Sequence, residues 1–247
     1  GIRDTSVTGV QTCALPIYQG FFKLARSNHI FRDWKKNGHG SVDLKKAIYQ
    51  SCDVFFYELS HKMGINNIYK SLSQFGFGER TGIDISGEVG GLLPSKEWKK
   101  RRFNQVWYPG DTISVGIGQG YFLATPIQLA VATSIIANKG NKVVPKLLLS
   151  DSNSNINLVS NFNSESFLSN IEYVKDSMVA VTSSEGTAYS SGQNLNFKLA
   201  GKTGTSQVFS LRGRDYDEDK IQEKLKDHSL FVAFAPAKTD RKSTRLN

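Results

Sequence analysis

The chain has 247 residues, 39% of them hydrophobic and 21% charged, and a formal net charge of +9. This length and composition favour one large domain over two smaller ones. Its two cysteines, Cys13 and Cys52, exclude a disulfide-stapled scaffold. No segment resembles a signal peptide, and the most apolar stretch, residues 127–137, is too short to span a membrane. The one compact basic run, residues 99–102, is expected to be a solvated surface turn, so no nucleic-acid partner is predicted.

The two ends of the chain look unlike the sequence between them. Residues 1–17 and 241–247 have no apolar periodicity and resemble translated sequencing-adapter sequence. We therefore expect both segments to be foreign to the fold, and we assign residues 18–240 to a single partial domain.

The first half of this domain has mostly helical periodicity. Apolar residues at helical spacing predict a helix over residues 41–63, which Gly64 ends, and a second helix over residues 65–75. Residues 92–111 are rich in Pro, Trp and Lys without a period, and we expect an ordered loop there. Residues 125–140 begin with Thr-Pro and end with Gly, which predicts a third helix.

The second half mixes strands with helices. Residues 143–149 have strand composition, residues 150–166 are rich in Asn and Ser and predict a surface loop, and a helix is expected over residues 171–183. Two late strands are predicted at residues 197–209 and 229–235. The charged insert between them, residues 212–227, has a second half that could form a short helix. Because the connection between these strands is local, the pattern favours an antiparallel sheet in an α+β fold.

The strongest chemical signal is Lys202-Thr203-Gly204-Thr205, which lies inside the first of the late strands. A lysine and two threonine hydroxyls on an extended segment offer a carboxylate both charge and directed hydrogen bonds. Gly204 between the hydroxyls lets a ligand backbone approach closely. Taken alone, the K-T-G residues are also explained by a strand edge that carries a glycine bulge, without any ligand.

Two further motifs narrow the interpretation. Ser51-Cys52-Asp53 lies far upstream of Lys202, and the string GIGQGYFLATPIQLA occupies residues 116–130. Penicillin-binding proteins and serine β-lactamases combine an S-x-x-K nucleophile motif with S-x-N or S-x-D and K-T-G. The string resembles the G-Q-G…T-P-x-Q-L-A segment of class B penicillin-binding proteins. RDWKKNGHG, PSKEWKKRRF and WYPGDT are similar to the penicillin-binding protein 2 branch, and the similarity runs from about residue 20 to residue 235.

The resemblance implies a fold and an activity. The fold is the α+β penicillin-binding transpeptidase fold, an antiparallel sheet with an all-helical subdomain, and we expect it to be truncated at both ends. The activity implied for the parent protein is that of a serine-type peptidoglycan D,D-transpeptidase, which cross-links the cell wall and needs no cofactor for catalysis. The parent would be anchored in the inner membrane of a bacterium, with this domain in the periplasm beside an elongation-complex glycosyltransferase.

The resemblance also implies a role for each motif residue. Ser51 would relay protons beside the nucleophile's lysine, and Asp53 would contact the substrate's amide side chain where many relatives carry Asn. Lys202 would attract the terminal carboxylate of the D-Ala-D-Ala stem peptide. Thr203 and Thr205 would hydrogen-bond this carboxylate, and the Thr205 N–H would form half of an oxyanion hole. β-Lactams would enter the same slot because they mimic D-Ala-D-Ala.

One family motif has no counterpart in the chain. No lysine has a serine three positions before it, so S-x-x-K is absent. We expect the motif to lie upstream of residue 20 in the parent and this polypeptide to be inactive. Two alternatives stay open: a non-catalytic scaffold that lost its nucleophile, and a serine β-lactamase or β-lactam sensor domain.

A second candidate site consists of Asp33, His39 and Cys52. A carboxylate, an imidazole and a thiolate form a plausible zinc ligand set. A buried structural cysteine and a surface histidine would explain the same residues without a metal. Some penicillin-binding protein 2 relatives are similar here and carry a structural zinc, with a fourth ligand further upstream that falls near Tyr18. A metal would brace the S-C-D motif.

Overall fold

The computed structural model describes residues 15–148, 159–160, 164–207 and 226–237. No helix in these ranges is both long and apolar enough to cross a bilayer. The described elements are β1 (Ile17–Tyr18), β2 (Phe21–Lys23), β3 (Ile30–Arg32), β4 (Gly40–Ser41), α1 (Leu44–Tyr49), α2 (Asp53–Gln74), α3 (Lys96–Phe103), α4 (Pro109–Gly116), α5 (Pro126–Ala137), β5 (Asn141–Lys142), β6 (Val159–Ser160), α6 (Glu165–Val181), α7 (Tyr189–Gly192), β7 (Ala200–Ser206) and β8 (His228–Phe234).

The described strands form two-stranded antiparallel sheets, and the longest of these sheets joins β7 to β8. In that sheet Lys202 lies opposite Val232, and Gly204 lies opposite Leu230. Helix α6 packs against β7 and helix α5 against β8, around a core that includes the buried Met178. This confirms the predicted α+β class with an antiparallel sheet. Strand β7 is shorter than the predicted residues 197–209, while β8 has the predicted length and begins one residue earlier. Residues 208–225 between them lie outside the described residues.

The helix predicted over residues 41–63 is divided. Helix α1 ends at Tyr49 and α2 begins at Asp53, because Ser51 takes a left-handed backbone conformation with φ of 51°. Residues other than glycine rarely adopt a left-handed backbone conformation, so contacts around Ser51 must stabilise it. Gly64 interrupts the helical geometry as predicted, with φ of 72° and ψ of 157°, and α2 then continues to Gln74.

The ordered loop predicted for residues 92–111 is wrong, because this segment contains α3 and the start of α4. Ser95 caps α3 by accepting a hydrogen bond from the Trp98 N–H, and Asn104 ends it with φ of 52°. Most residues of α3 are strong helix formers, but the helix has no apolar stripe. Hydrophobic periodicity therefore does not predict it.

The basic run predicted as a solvated turn, residues 99–102, lies in helix α3, and its last three residues are exposed as predicted while Lys99 is buried. The Lys99 side chain is 2% exposed, and its Nζ lies 2.5 Å from Asp111 Oδ2 on α4. The rings of Trp107, Tyr108 and Tyr121 surround the ammonium group at 4.7 to 5.9 Å from their centroids. Asp111 also accepts a hydrogen bond from the Tyr108 N–H, so one carboxylate joins α3 to the first turn of α4.

The strand predicted over residues 143–149 is absent from the described part of that segment. The Asp84 carboxylate instead accepts hydrogen bonds from the N–H groups of Leu147 and Leu148, at 2.7 and 3.0 Å. The short strand β5 lies just before, at Asn141–Lys142. Helix α6 begins at Glu165, well before the predicted residue 171, because Ser164 caps it. The predicted loop over residues 150–166 lies mostly outside the described residues.

Candidate active site and metal centre

Ser51 lies in the turn between α1 and α2, and the backbone of that turn is fixed from two directions. The Trp34 indole N–H donates to the Ser51 carbonyl at 2.8 Å, and the Cys52 N–H donates to the Ala47 carbonyl at 3.0 Å. The Trp34 contact directly satisfies the carbonyl of the left-handed residue. The Ser51 hydroxyl is thereby presented toward strand β7.

Lys202 reaches this hydroxyl from β7. Its Nζ donates to Ser51 Oγ and, at 2.9 Å, to the Thr203 carbonyl. Burial lowers the pKa of the Lys202 ammonium to about 8, and the negative charge of Asp53 opposes this shift. The K-T-G and S-C-D motifs, far apart in sequence, therefore meet through this side-chain contact.

The hydroxyl groups of Ser51, Thr203 and Thr187 lie close together at this contact. Thr203 Oγ1 lies 3.5 Å from Ser51 Oγ and 2.8 Å from Thr187 Oγ1. Sequence reasoning missed Thr187, because a threonine after a short Ser-Ser-Glu-Gly turn carries no motif that indicates a site. Its proximity to Lys202 along the chain was the one available signal.

The outer part of the β7 motif is open. Gly204 and Thr205 are exposed, and a Cβ placed on Gly204 would meet nothing closer than Leu230 Cβ at 3.8 Å. Side chains alternate along a strand, so Thr203 and Thr205 project to the same side. The strand thus presents two hydroxyls beside an uncovered stretch of backbone.

Asp53 lies close enough to Lys202 for their charges to interact. Its carboxylate accepts a hydrogen bond from the Trp34 N–H at 3.3 Å. Burial raises the pKa of the Asp53 carboxyl to about 6, with a further contribution from the nearby Asp33 charge. The role of Asp53 in contacting an amide of the substrate stays a prediction.

The structure brings Asp33, His39 and Cys52 together, as the sequence predicted. One potential ligand atom from each lies within 4.8 Å of the others, and all three residues are buried. The surface histidine of the alternative explanation is wrong, since His39 is 6% exposed. Asp33 Oδ1 lies 3.1 Å from His39 Nε2, and Asp33 Oδ2 accepts from the Val54 N–H at 3.2 Å.

Tyr18, near the expected fourth ligand, is directed elsewhere. Its hydroxyl donates to Glu58 Oε2 at 3.0 Å, and its ring packs against Phe55 at 5.8 Å.

Burial, with a smaller contribution from Asp33, raises the pKa of the Cys52 thiol to about 12. A buried thiol among acidic groups is poorly ionised unless a cation accompanies it, and a zinc ion fits this donor set.

The family model described as the penicillin-binding protein transpeptidase domain matches residues 8–244 of the chain. The chain belongs to this family. The transpeptidase domain is 45% identical over 228 residues to the peptidoglycan D,D-transpeptidase MrdA of Acinetobacter baumannii, covering 88% of this chain and 33% of that protein. It therefore spans about a third of the length of the curated relatives it matches.

Solved structures agree with this assignment. The transpeptidase domain is similar to the penicillin-binding protein PBP2 of Helicobacter pylori in its complex with MreC, with a TM-score of 0.78 and 36% identity over 90% of this chain and 38% of that one. It is also similar to Pseudomonas aeruginosa PBP2 in complex with WCK 5153, with a TM-score of 0.74 and 38% identity over 90% of this chain and 48% of that one. The predicted fold family is thus confirmed.

Proposed function

We propose that this chain forms the substrate-recognition part of a peptidoglycan D,D-transpeptidase. The observation that carries the proposal is the hydrogen bond from Lys202 Nζ to Ser51 Oγ, with the Thr203 hydroxyl beside it. This contact creates a cationic and hydroxyl-rich point in the middle of strand β7. Relatives named as peptidoglycan D,D-transpeptidases support the same activity for the parent.

The open strand suits the carboxylate end of a D-Ala-D-Ala stem peptide. Lys202 supplies the positive charge, and the hydroxyls of Thr203 and Thr205 supply hydrogen bonds on one side of β7. Gly204 leaves space for the peptide backbone to lie along the strand. A β-lactam presents a carboxylate at the same distance from its reactive carbonyl and would bind in the same way.

The reaction proposed for the parent is acyl transfer. A serine oxygen forms a bond to the penultimate D-Ala carbonyl carbon, the bond to the terminal D-Ala nitrogen breaks, and the serine proton is transferred to that leaving amine. Ser51 and Lys202, which are hydrogen-bonded to each other, would carry this proton. An amine of a second stem peptide then forms an amide bond to the same carbonyl carbon, the bond from that carbon to the serine oxygen breaks, and a proton from the amine returns to the serine.

The nucleophilic serine belongs to the S-x-x-K motif, which this sequence lacks. We propose that the parent supplies it outside residues 18–240 and that the chain alone forms no acyl-enzyme. Fluorescent penicillin tests both statements. It should label the intact parent covalently and leave this chain unlabelled after denaturing electrophoresis. An unlabelled parent would favour the scaffold alternative, and a labelled chain would refute the missing-nucleophile account.

Carboxylate binding by this chain should weaken as the pH rises through about 8. The Lys202 ammonium is charged below its pKa of about 8 and loses its charge above it, while the ligand carboxylate stays ionised throughout. Titration with N-acetyl-D-alanyl-D-alanine between pH 7 and pH 9 would measure this change. In a Lys202→Arg variant the charge persists, so affinity should stay flat across the window; a flat profile in the unsubstituted chain would contradict the assignment.

We also propose that Asp33, His39 and Cys52 hold a structural zinc ion. The ion would neutralise the buried carboxylate, keep Cys52 as a thiolate and brace the turn that carries Ser51. The support is the convergence of three buried, chemically suitable ligands within 4.8 Å. The catalytic proposal does not depend on this ion.

Zinc analysis of the purified chain should find about one ion per chain and almost none in a Cys52→Ser variant. The reason is that serine is a much weaker zinc ligand than a thiolate. Substitution of cobalt for zinc should add a thiolate-to-metal absorption band that the Cys52→Ser variant lacks. Equal zinc content in the variant and the unsubstituted chain would contradict the site, and a Ser166→Ala variant at an exposed helix position serves as the matched control.

The parent is proposed to work at the periplasmic face of the inner membrane with an elongation-complex glycosyltransferase. The similar Helicobacter pylori protein is described in complex with MreC, which supports an assembly of this kind. Separation of the parent's complexes after cross-linking in cells would test the association.

A further inference from the structure

A tight turn between α6 and α7 delivers a side chain to the active site. The Gly186 N–H donates to the Ser183 carbonyl, and the Ala188 N–H donates to the Val181 carbonyl, both at 2.9 Å. A Cβ on Gly186 would lie 2.1 Å from the Val181 carbonyl oxygen, so only glycine fits there. The geometry of this turn is therefore tightly defined, and it places Thr187 directly after the glycine.

The same turn is joined to the end of α1. The Thr187 N–H donates to the Tyr49 carbonyl at 3.2 Å, and the Tyr49 hydroxyl donates to Glu185 Oε2 at 3.1 Å. Tyr49 lies two positions before Ser51. One short segment, residues 49–51, thus contains Ser51 and also contacts the turn that carries Thr187.

The side chains form a continuous row. Thr187 Oγ1 lies 2.8 Å from Thr203 Oγ1, Thr203 Oγ1 lies 3.5 Å from Ser51 Oγ, and Lys202 donates to Ser51. Thr187 is itself exposed, so its hydroxyl is not required to fill a core. The row ends at Thr187 on the side away from Lys202.

The number of protons on each hydroxyl decides which group donates and which accepts in this row. Each threonine hydroxyl has a single proton to donate but can accept up to two hydrogen bonds. A carboxylate ligand can only accept, so Thr203 can bind it only if its own proton is directed at the ligand. The 2.8 Å contact with Thr187 must then be one in which Thr187 donates and Thr203 accepts.

We propose that Thr187 is a positioning residue that directs the Thr203 hydroxyl proton toward the ligand carboxylate. The inference rests on the proposed function, since it assumes that β7 binds a carboxylate. Thr187 acts through Thr203 and does not itself touch the ligand. Without its hydroxyl, Thr203 is free to rotate and to donate to water or to Ser51.

Affinity for N-acetyl-D-alanyl-D-alanine, measured by calorimetric titration of the full chain, tests this inference. A Thr187→Val variant keeps the side-chain shape, loses the hydroxyl and should bind about fivefold more weakly. Thr187→Ser restores the hydroxyl and should bind within about twofold of the unsubstituted chain. Thr133→Val is the matched control, because the Thr133 hydroxyl donates to the Leu129 carbonyl within α5, away from the β7 motif. Thermal unfolding of each variant verifies that the fold is retained.

A double-mutant cycle separates positioning from general structure. If Thr187 acts through Thr203, Thr187→Val should have no further effect in a Thr203→Val background. An undiminished Thr187→Val effect in that background, or unchanged affinity in the single variant, would overturn the inference while leaving the proposed function intact. Failure of the unsubstituted chain to bind the dipeptide would overturn the proposed function, and the inference with it.

Discussion

Replacing Lys202 by methionine should weaken binding of N-acetyl-D-alanyl-D-alanine by roughly a hundredfold, or about 3 kcal/mol. Methionine keeps most of the apolar stem and removes the charge and the donors that serve Ser51 and the Thr203 carbonyl. The loss is expected to be large because a half-buried ammonium is shielded from water that would otherwise weaken its attraction to a carboxylate. Calorimetric titration of the chain measures the effect.

Lys198→Met provides the matched control for this substitution. Lys198 lies just before the same strand, and its side chain is exposed, so the change in net charge is identical but the site is untouched. The control should bind within about twofold, because exposed charges at this distance are largely screened. Equal weakening in both variants would show that Lys202 acts only through the overall positive charge.

Replacing Asp111 by alanine should destabilise the domain by about 3–5 kcal/mol. The substitution leaves the Lys99 ammonium buried without its 2.5 Å partner and removes the acceptor of the Tyr108 N–H. The surrounding rings of Trp107 and Tyr121 compensate for only part of the lost ion pair. Urea unfolding followed by circular dichroism would measure the change in free energy of unfolding.

Two further variants make this prediction specific. Lys62→Ala removes a surface ion pair with Glu58 and should cost no more than about 1 kcal/mol, since the Lys62 side chain is 69% exposed. Lys99→Met in the Asp111→Ala background removes the unpaired charge and should recover much of the lost stability. A cost for Asp111→Ala no larger than that for Lys62→Ala would contradict the role of the buried pair.

The binding strand could be predicted from the sequence because its signals are local. Lys202 to Thr205 lie within an apolar segment, and a lysine with two threonine hydroxyls on one strand is a combination that suits a carboxylate. The cluster of Asp33, His39 and Cys52 was also predictable as a set, since metal-binding residue types are few and chemically distinctive. The resemblance to penicillin-binding proteins connected the S-C-D and K-T-G motifs before any contact between them was visible.

The remaining features depend on long-range contacts that periodicity does not encode. The break between α1 and α2 requires the left-handed Ser51, which is secured by Trp34 from a distant loop. Helix α3 lacks an apolar stripe because Lys99 is buried through its partners on α4 and not through hydrophobicity. Thr187 joins the site only because a glycine turn docks on Tyr49. Such features become predictable only when both partners of a contact are known.

The most direct test of the account compares two ligands that differ in one terminal group. N-acetyl-D-alanyl-D-alanine and its C-terminal carboxamide have nearly the same shape, but only the first carries a negative charge. If Lys202, Thr203 and Thr205 form a carboxylate site, calorimetric titration of this chain at pH 7 should show the acid binding at least about tenfold more tightly than the amide. Equal affinity for the two ligands, or no binding of either, would contradict the proposed recognition of the D-Ala-D-Ala terminus.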